Sequence, residues 1–272
     1  MPFLASRPHP QPRAAIIGAP YDATSSFRRG SREAPAAIRW ASDSVETYSP
    51  TQARDLENVG LADAGDIDLD GCSCEQAVGR VADGVAKLSG FPLMLGGEHT
   101  MTIGAVRAAL ARHPDLAVLA LDAHLDLRDQ YEGGAWSHAT TFARMLDVLP
   151  PDRLIILGAR SGTRDEWTRA KSLLHVSRTE TPDAAAWSAL SRRPLYVTVD
   201  IDAFDPSIAP GTGNPEPLGL EVEDFVRMLE RLRDATVVGA DVVEVNPTYD
   251  PSGRTAVLAA WLSREMLLAF TA

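Results

Sequence analysis

Apolar and polar positions along the chain follow two rhythms. Short, largely apolar runs occur at Arg13 to Gly18, Phe91 to Leu95, Leu116 to Leu121, Leu154 to Leu157, Leu173 to Val176, Leu195 to Val199 and Val237 to Val245. Each gives way to a turn-forming or polar residue, the pattern of strands buried on both faces. Ala62 to Ile67 is a weaker candidate of the same kind. Between these runs the apolar residues recur every three or four positions, as amphipathic helices require. Glu33 to Val45 carries Ala37, Ile38 and Ala41. A stretch opened by Ser73 and Gln76 carries Val78, Val81, Val85 and Leu88 before Gly90. The Ser73–Gln76 spacing predicts a capping box, and Gly90 a stop. Met101 to Arg112, a segment beginning near Ser137-His138, Ala184 to Leu190, a stretch with Val222, Phe225, Val226, Leu229 and Leu232, and Thr255 to Phe270 complete the predicted helices.

Buried strands alternating with helices imply right-handed crossovers and a mostly parallel central sheet covered on both faces. The expected fold class is therefore α/β, a three-layer α/β/α arrangement. No linker, low-complexity tract or internal repeat divides residues 1–272, which read as a single domain with residues 1–12 as a loose lead-in.

Composition narrows the function. An apolar fraction of 45% in 272 residues is ample for a sizeable core. No apolar run approaches the ~20 residues a membrane span needs. The Pro-rich start lacks the apolar region of a signal peptide, so a cytoplasmic protein without a membrane partner is expected. Lys+Arg number 26 against 37 for Asp+Glu, a net charge of -11. Such a balance argues against a nucleic-acid partner. Cys72 and Cys74 stand too close for a disulfide, and no second pair exists to complete a zinc site.

The candidate chemistry sits where three predicted strands end. His99 follows one, Asp122-Ala123-His124-Leu125-Asp126 a second and Asp200-Ile201-Asp202 a third. In parallel α/β sheets the functional crevice lies beyond the carboxyl ends of the strands, so these residues are predicted to meet. Alternate side chains of extended backbone share a direction, which lets Asp122, His124 and Asp126 converge. Two imidazoles and four carboxylates exceed the needs of one ion and suit two. With oxygen donors dominant and no thiolate, hard or borderline divalent ions such as manganese are favoured. Two ions about 3.5 to 4 Å apart lower the pKa of a shared water and serve hydrolysis.

Gly96-Gly97-Glu98-His99, Asp122-Ala123-His124-Leu125-Asp126 and Asp200-Ile201-Asp202-Ala203-Phe204-Asp205-Pro206 resemble, in that order, the three metal-binding motifs of the ureohydrolases, the family of arginase and agmatinase. The resemblance runs from Gly30 through Pro247. It implies an arginase-like fold and two Mn2+ ions held by His99, Asp122, His124, Asp126, Asp200 and Asp202. His138 resembles the family's active-site histidine, placed to give a proton to a departing amine. Glu244 resembles the glutamate that holds the substrate's guanidinium, a planar cation that pairs with carboxylate through two parallel hydrogen bonds. Glu98 and Asp205 are expected in supporting roles, as a hydrogen-bonding acid behind the ligands and a loop-shaping acid.

The loop Asp129 to His138 looks like the agmatinase version, which implies hydrolysis of agmatine to putrescine and urea. Trp136 in that loop and Arg160 beyond it are the expected contacts for the far end of this small cationic guanidino substrate. The alternatives are guanidinobutyrase or arginase activity, a metal-dependent deacetylase, and an inactive binding relative. A homo-oligomer, trimer or hexamer, is expected by analogy with the family.

Overall fold

A computed structural model describes residues 1–271. In chain order the elements are β1 (Ala14–Ala19), α1 (Ala34–Ser42), β2 (Tyr48–Ser49), β3 (Arg54–Asp55), β4 (Leu61–Asp66), α2 (Cys74–Ala86), β5 (Phe91–Gly96), α3 (Met101–Arg112), β6 (Ala117–Leu121) and α4 (Thr141–Met145). There follow β7 (Leu154–Leu157), α5 (Arg164–Ala170), β8 (His175–Ser177), α6 (Ala184–Leu190), β9 (Leu195–Asp200), α7 (Val222–Leu232), β10 (Val237–Val243) and α8 (Arg254–Phe270).

Eight strands form one sheet in the order β4-β1-β5-β10-β9-β6-β7-β8. Every pairing in it is parallel, while β2 and β3 make a separate antiparallel pair. The alternation of side chains along each strand builds the layers. Leu93 and Leu95 of β5, Leu119 and Leu121 of β6 and Val197 and Val199 of β9 enter a core with α1, α6, α7 and α8. Met94, Val118, Ala120 and Tyr196 enter the opposite core with α2 and α3. The α/β/α arrangement is thus observed, with a sheet that is entirely parallel. Among the described residues no helix is long and apolar enough to cross a membrane.

Several boundaries differ from the sequence reading for local reasons. The capping box at Ser73 forms as predicted. A second one, between Thr163 and Glu166, starts α5, a helix the apolar pattern does not reveal. The segment at Ser137-His138 is a 3-10 turn, His138–Thr140, before the short α4. The last strand stops at Val243 rather than Val245, because Glu244 adopts a left-handed φ of 63°. Residues 1–12 lack regular structure but are not loose. Phe3 is buried, its N–H donates to Asp63 Oδ2 at 2.9 Å, and the N–H of Arg7 donates to Leu61 O at 2.9 Å.

Candidate metal centre

The carboxyl ends of β5, β6 and β9 meet, and their side chains form two tight groups. His99, Asp122 and Asp200 offer ligand atoms all within 4.8 Å of one another, as do Asp122, His124 and Asp202. His99 Nδ1 lies 3.0 Å from Asp122 Oδ2 and 3.3 Å from Asp200 Oδ2. His124 Nδ1 lies 2.9 Å from Asp202 Oδ2 and 3.8 Å from Asp122 Oδ1. Asp122 is common to both groups and fully buried. Asp126 stands just outside them, with Oδ2 3.8 Å from His99 Nδ1. The extended alternation expected from Asp122 to Asp126 breaks at its end, where Asp126 takes a left-handed φ of 44°.

Local hydrogen bonds fix these side chains. Asp122 Oδ1 accepts the N–H of His124 at 2.6 Å, Asp200 Oδ1 that of Asp202 at 2.9 Å, and Asp202 Oδ1 that of Ala123 at 3.1 Å. Behind His99, Thr198 Oγ1 donates to Asp241 Oδ1 at 2.6 Å, and Tyr196 Oη donates to Asp241 Oδ2 at 2.9 Å. Burial pushes the Asp241 carboxyl up, and these donors pull it back. With its one proton committed to Asp241, Thr198 Oγ1 accepts from His99 Nε2 at 3.0 Å. Thr198 therefore holds a proton on Nε2, and Nδ1 is the nitrogen turned toward the acids.

The residues fit a cation. His99 Nδ1 and Asp122 Oδ2 are both buried and 3.0 Å apart, yet neither makes a hydrogen bond among the described residues. Buried polar atoms seldom go unpaired, and a cation seated between these two satisfies both. Burial, then the neighbouring acids, holds the carboxyls of Asp126 and Asp200 well above the usual range. Burial opposes charge on His99 and His124, but the surrounding carboxylates win and raise both imidazoles. Excess negative charge of this kind is relieved by a multivalent cation. The donor set of imidazole and carboxylate suits divalent ions of intermediate hardness.

A cleft of about 320 Å³ opens on this cluster. His124, Asp126, Asp200, Asp202, His138 and Glu244 all line it. Burial lowers the His138 imidazole below its ordinary value, favouring the neutral ring. Its Nε2 lies 3.2 Å from Ser26 Oγ and its Nδ1 3.2 Å from Ser137 Oγ. The ring of Tyr131 packs edge-on to it, with 5.4 Å between centroids. Burial, reinforced by Glu98, pushes the Glu244 carboxyl up to about 8, while the N–H of His99, 2.8 Å from Glu244 Oε1, opposes the rise. A larger apolar groove of about 840 Å³, over α8, is lined by a single carboxylate, Glu46, and no histidine.

Two expected contacts are placed elsewhere. Arg160 does not line the cleft, because its guanidinium is turned into a cage of main-chain carbonyls. Trp136 also faces away, packed on the core behind α3 with the Arg107 guanidinium 5.3 Å from its ring centre. Ser26, Arg128, Tyr131, Ser161 and Asn214 line the cleft instead. Their only signal in the sequence is position, in loops that follow strands of a parallel sheet. Glu98 accepts from Thr24 N at 2.8 Å, Thr24 Oγ1 at 2.6 Å and Thr100 Oγ1 at 2.5 Å. Asp205 accepts from the N–H groups of Ser207 and Gly219 at 3.0 and 3.1 Å, which draw its carboxyl down to about 2.

A parallel α/β sheet with imidazole and carboxylate donors gathered at its strand ends, beside a cleft sized for a small molecule, defines an α/β protein with a candidate metal centre. The model of the Arginase family matches residues 12–269, and the chain belongs to that family. It is similar to the agmatinase of Bacillus cereus, 40% identical over 275 residues that cover 98% of this chain and 95% of that protein. It is similar also to the guanidinobutyrase of Pseudomonas aeruginosa, 33% identical with coverage of 93% and 85%. Among solved structures, the agmatine ureohydrolase of Thermoplasma volcanium superposes with a TM-score of 0.90 at 34% identity, covering 99% of this chain and 94% of that one.

Proposed function

We propose that this chain is a two-manganese ureohydrolase acting as a single catalytic domain, and that its substrate is agmatine, split into putrescine and urea. The observation that carries the reading is the gathering of five of the six expected donors into two groups that share Asp122, at the floor of a cleft that His138 and Glu244 also line. Agmatinases at 38% to 40% identity over nearly the whole chain support the choice of substrate. Cytoplasmic residence and a homo-oligomeric state belong to the same proposal by family analogy.

His99, Asp122, Asp126 and Asp200 would hold one ion, and Asp122, His124 and Asp202 the other. When bound, the ions supply Lewis acidity that makes water a nucleophile at neutral pH. Glu244 receives the guanidinium, whose positive charge favours the ionised carboxylate over the protonated form that burial imposes. The backbone holds Glu244 in place, since its N–H donates to Gly97 O at 2.8 Å. His138, neutral at rest, takes a proton from the attacking water and passes it to the departing nitrogen. The water oxygen bonds to the guanidinium carbon and the bond from that carbon to the substituted nitrogen breaks. The water's second proton leaves the carbon-bound oxygen for the same nitrogen as the carbonyl of urea forms, so urea and a protonated amine leave and atoms and charge balance.

The test is urea release by manganese-loaded protein from agmatine, arginine, 4-guanidinobutyrate and an acetylated polyamine, supplied separately. Urea from agmatine at rates at least tenfold above the others is the expected result. Turnover of arginine or guanidinobutyrate in its place overturns the substrate assignment, and acetate release overturns the class.

A further inference from the structure

The carbonyl cage around Arg160 joins the parts of the chain that carry one half of the centre. Nε donates to Pro217 O at 3.0 Å, Nη1 to Gly158 O at 2.9 Å and Ala203 O at 3.1 Å, and Nη2 to Asp202 O at 2.7 Å and Glu216 O at 2.8 Å. Phe204 O adds a longer contact to Nη2 at 3.5 Å. All five guanidinium hydrogens are thereby engaged, so none remains for a substrate. The main chain adds to the grip. The N–H groups of Arg160 and Ser161 both donate to Ala123 O, at 2.8 and 2.9 Å, the carbonyl between Asp122 and His124. Ser161 Oγ donates to Glu216 Oε1 at 2.8 Å, and that carboxylate lies 3.7 Å from His124 Nε2.

We propose that Arg160 is a positioning residue for the half-site formed by Asp122, His124 and Asp202, its guanidinium locking the loops after β7 and β9, and with them Asp202, to the segment 205–219. The proposal rests on reading that half-site as a cation site. The main-chain N–H of Arg160, which any substitution here keeps, holds the residue between two of the donors, and the guanidinium grips the carbonyl of the third. Metal geometry tolerates departures of only about 0.2 Å, so a small drift of these loops weakens the half-site. Lysine cannot substitute, because three donors on a point charge do not span carbonyls arrayed around a planar fork. The effect is one-sided. His99 is held by Thr198, and among the described residues no hydrogen bond joins Arg160 to His99 or to Asp200.

The experiment follows manganese rather than turnover. Metal-free wild type, Arg160→Ala and Arg160→Lys are titrated with Mn2+, with bound metal counted by mass spectrometry and coupling between ions read by electron paramagnetic resonance. Wild type is expected to bind two coupled ions. Both variants are expected to keep one at wild-type affinity and to bind the second about 10 to 100-fold more weakly. At limiting metal their coupled spectrum gives way to the six lines of an isolated ion. Two ions at wild-type affinity in both variants overturn the proposal, as does equal weakening of both ions, the mark of a general structural role. Arg160→Lys, which keeps the stem and the charge, decides the matter if Arg160→Ala does not fold. Wild type that takes up fewer than two ions overturns the cation reading itself, and the Arg160 proposal falls with it.

Discussion

The hydroxyl of Thr24 accepts the main-chain N–H of His138 at 3.0 Å and donates its own proton to buried Glu98 at 2.6 Å. A residue in the loop after the first strand thus sets the position of a histidine 114 residues later. Thr24→Val keeps the shape of the side chain and removes both bonds. A misplacement of about 1 Å in a catalytic group costs on the order of 100-fold in rate. We expect kcat to fall about 10 to 100-fold with little change in KM, and stability to fall by about 1 to 3 kcal/mol as the His138 N–H loses its partner. Steady-state kinetics on agmatine check this, and an unchanged kcat contradicts it.

Metal loading should release protons. In the metal-free protein burial and crowding hold the Asp126 and Asp200 carboxyls well up and Glu244 at about 8, while the neighbouring carboxylates, against burial, raise the His99 and His124 imidazoles well above their ordinary value. A cation displaces protons from its ligands, so apparent manganese affinity should climb as pH rises through neutrality. Calorimetric titration at pH 7 in buffers of different ionisation enthalpy measures the number released. Zero release, or net uptake, would show that the acids are already ionised without the metal.

Far from the cleft, Arg39 donates through Nε to Asp63 Oδ2 at 2.8 Å and through Nη2 to Asp63 Oδ1 at 2.9 Å, both residues largely buried. Burial raises the Asp63 carboxyl, but the Arg39 hydrogen bond, those from Gly65 and Phe3, and the Arg39 charge together outweigh it and leave the group below its ordinary 3.8. The folded pKa is depressed, so the contribution to stability is present above the unfolded value and lost as pH falls through the folded one. Asp63→Asn should cost about 3 kcal/mol at pH 7, because a buried cation loses a partner while Asp66 remains. Urea unfolding should show the gap between variant and wild type narrowing below about pH 3.8. A gap that stays constant down to pH 2.5 would rule the pair out as its source.

The two cysteines should differ sharply toward alkylation. Burial, aided by Glu98, pushes the Cys74 thiol up to about 12, whereas Cys72 is half-buried in the turn before the helix. The thiolate is the reactive form. Iodoacetamide at pH 8 should modify Cys72 and leave Cys74 intact in native protein, as peptide mass spectrometry can show. Equal labelling would mean that α2 opens readily at its first turn.

What the sequence reveals depends on whether a residue's role is local. β6 and β9 are legible because strands buried on both faces must be apolar throughout, and their acidic tips follow directly. α5 is not, because only Glu166 and Ala170 are buried in it and no apolar stripe forms. Its one signal is the Thr163–Glu166 spacing. β8 begins at His175 rather than Leu173, since burial of Leu173 reflects core packing and not ladder pairing. Arg160 and Trp136 mislead for one shared reason. A charged or aromatic residue near a cleft looks like a ligand contact in one dimension, and only the folded loops decide whether it faces ligand, carbonyls or core. Ser26 and Thr24 stay hidden because their partners lie more than 70 residues away.

The sheet order gives this chain a particular history on the ribosome. His99 leaves β5 and Asp200 leaves β9, and the strand seated between those two is β10, which follows both in the chain. A nascent polypeptide that ends between residues 202 and 237 carries every donor of the centre but not the strand that sets β5 and β9 at their final spacing. Pairing of such sequence-distant strands is intrinsically slow, because loop entropy is lost before contacts form. The donors therefore reach their final spacing only after β10 has been made, and any capture of a cation waits on that strand.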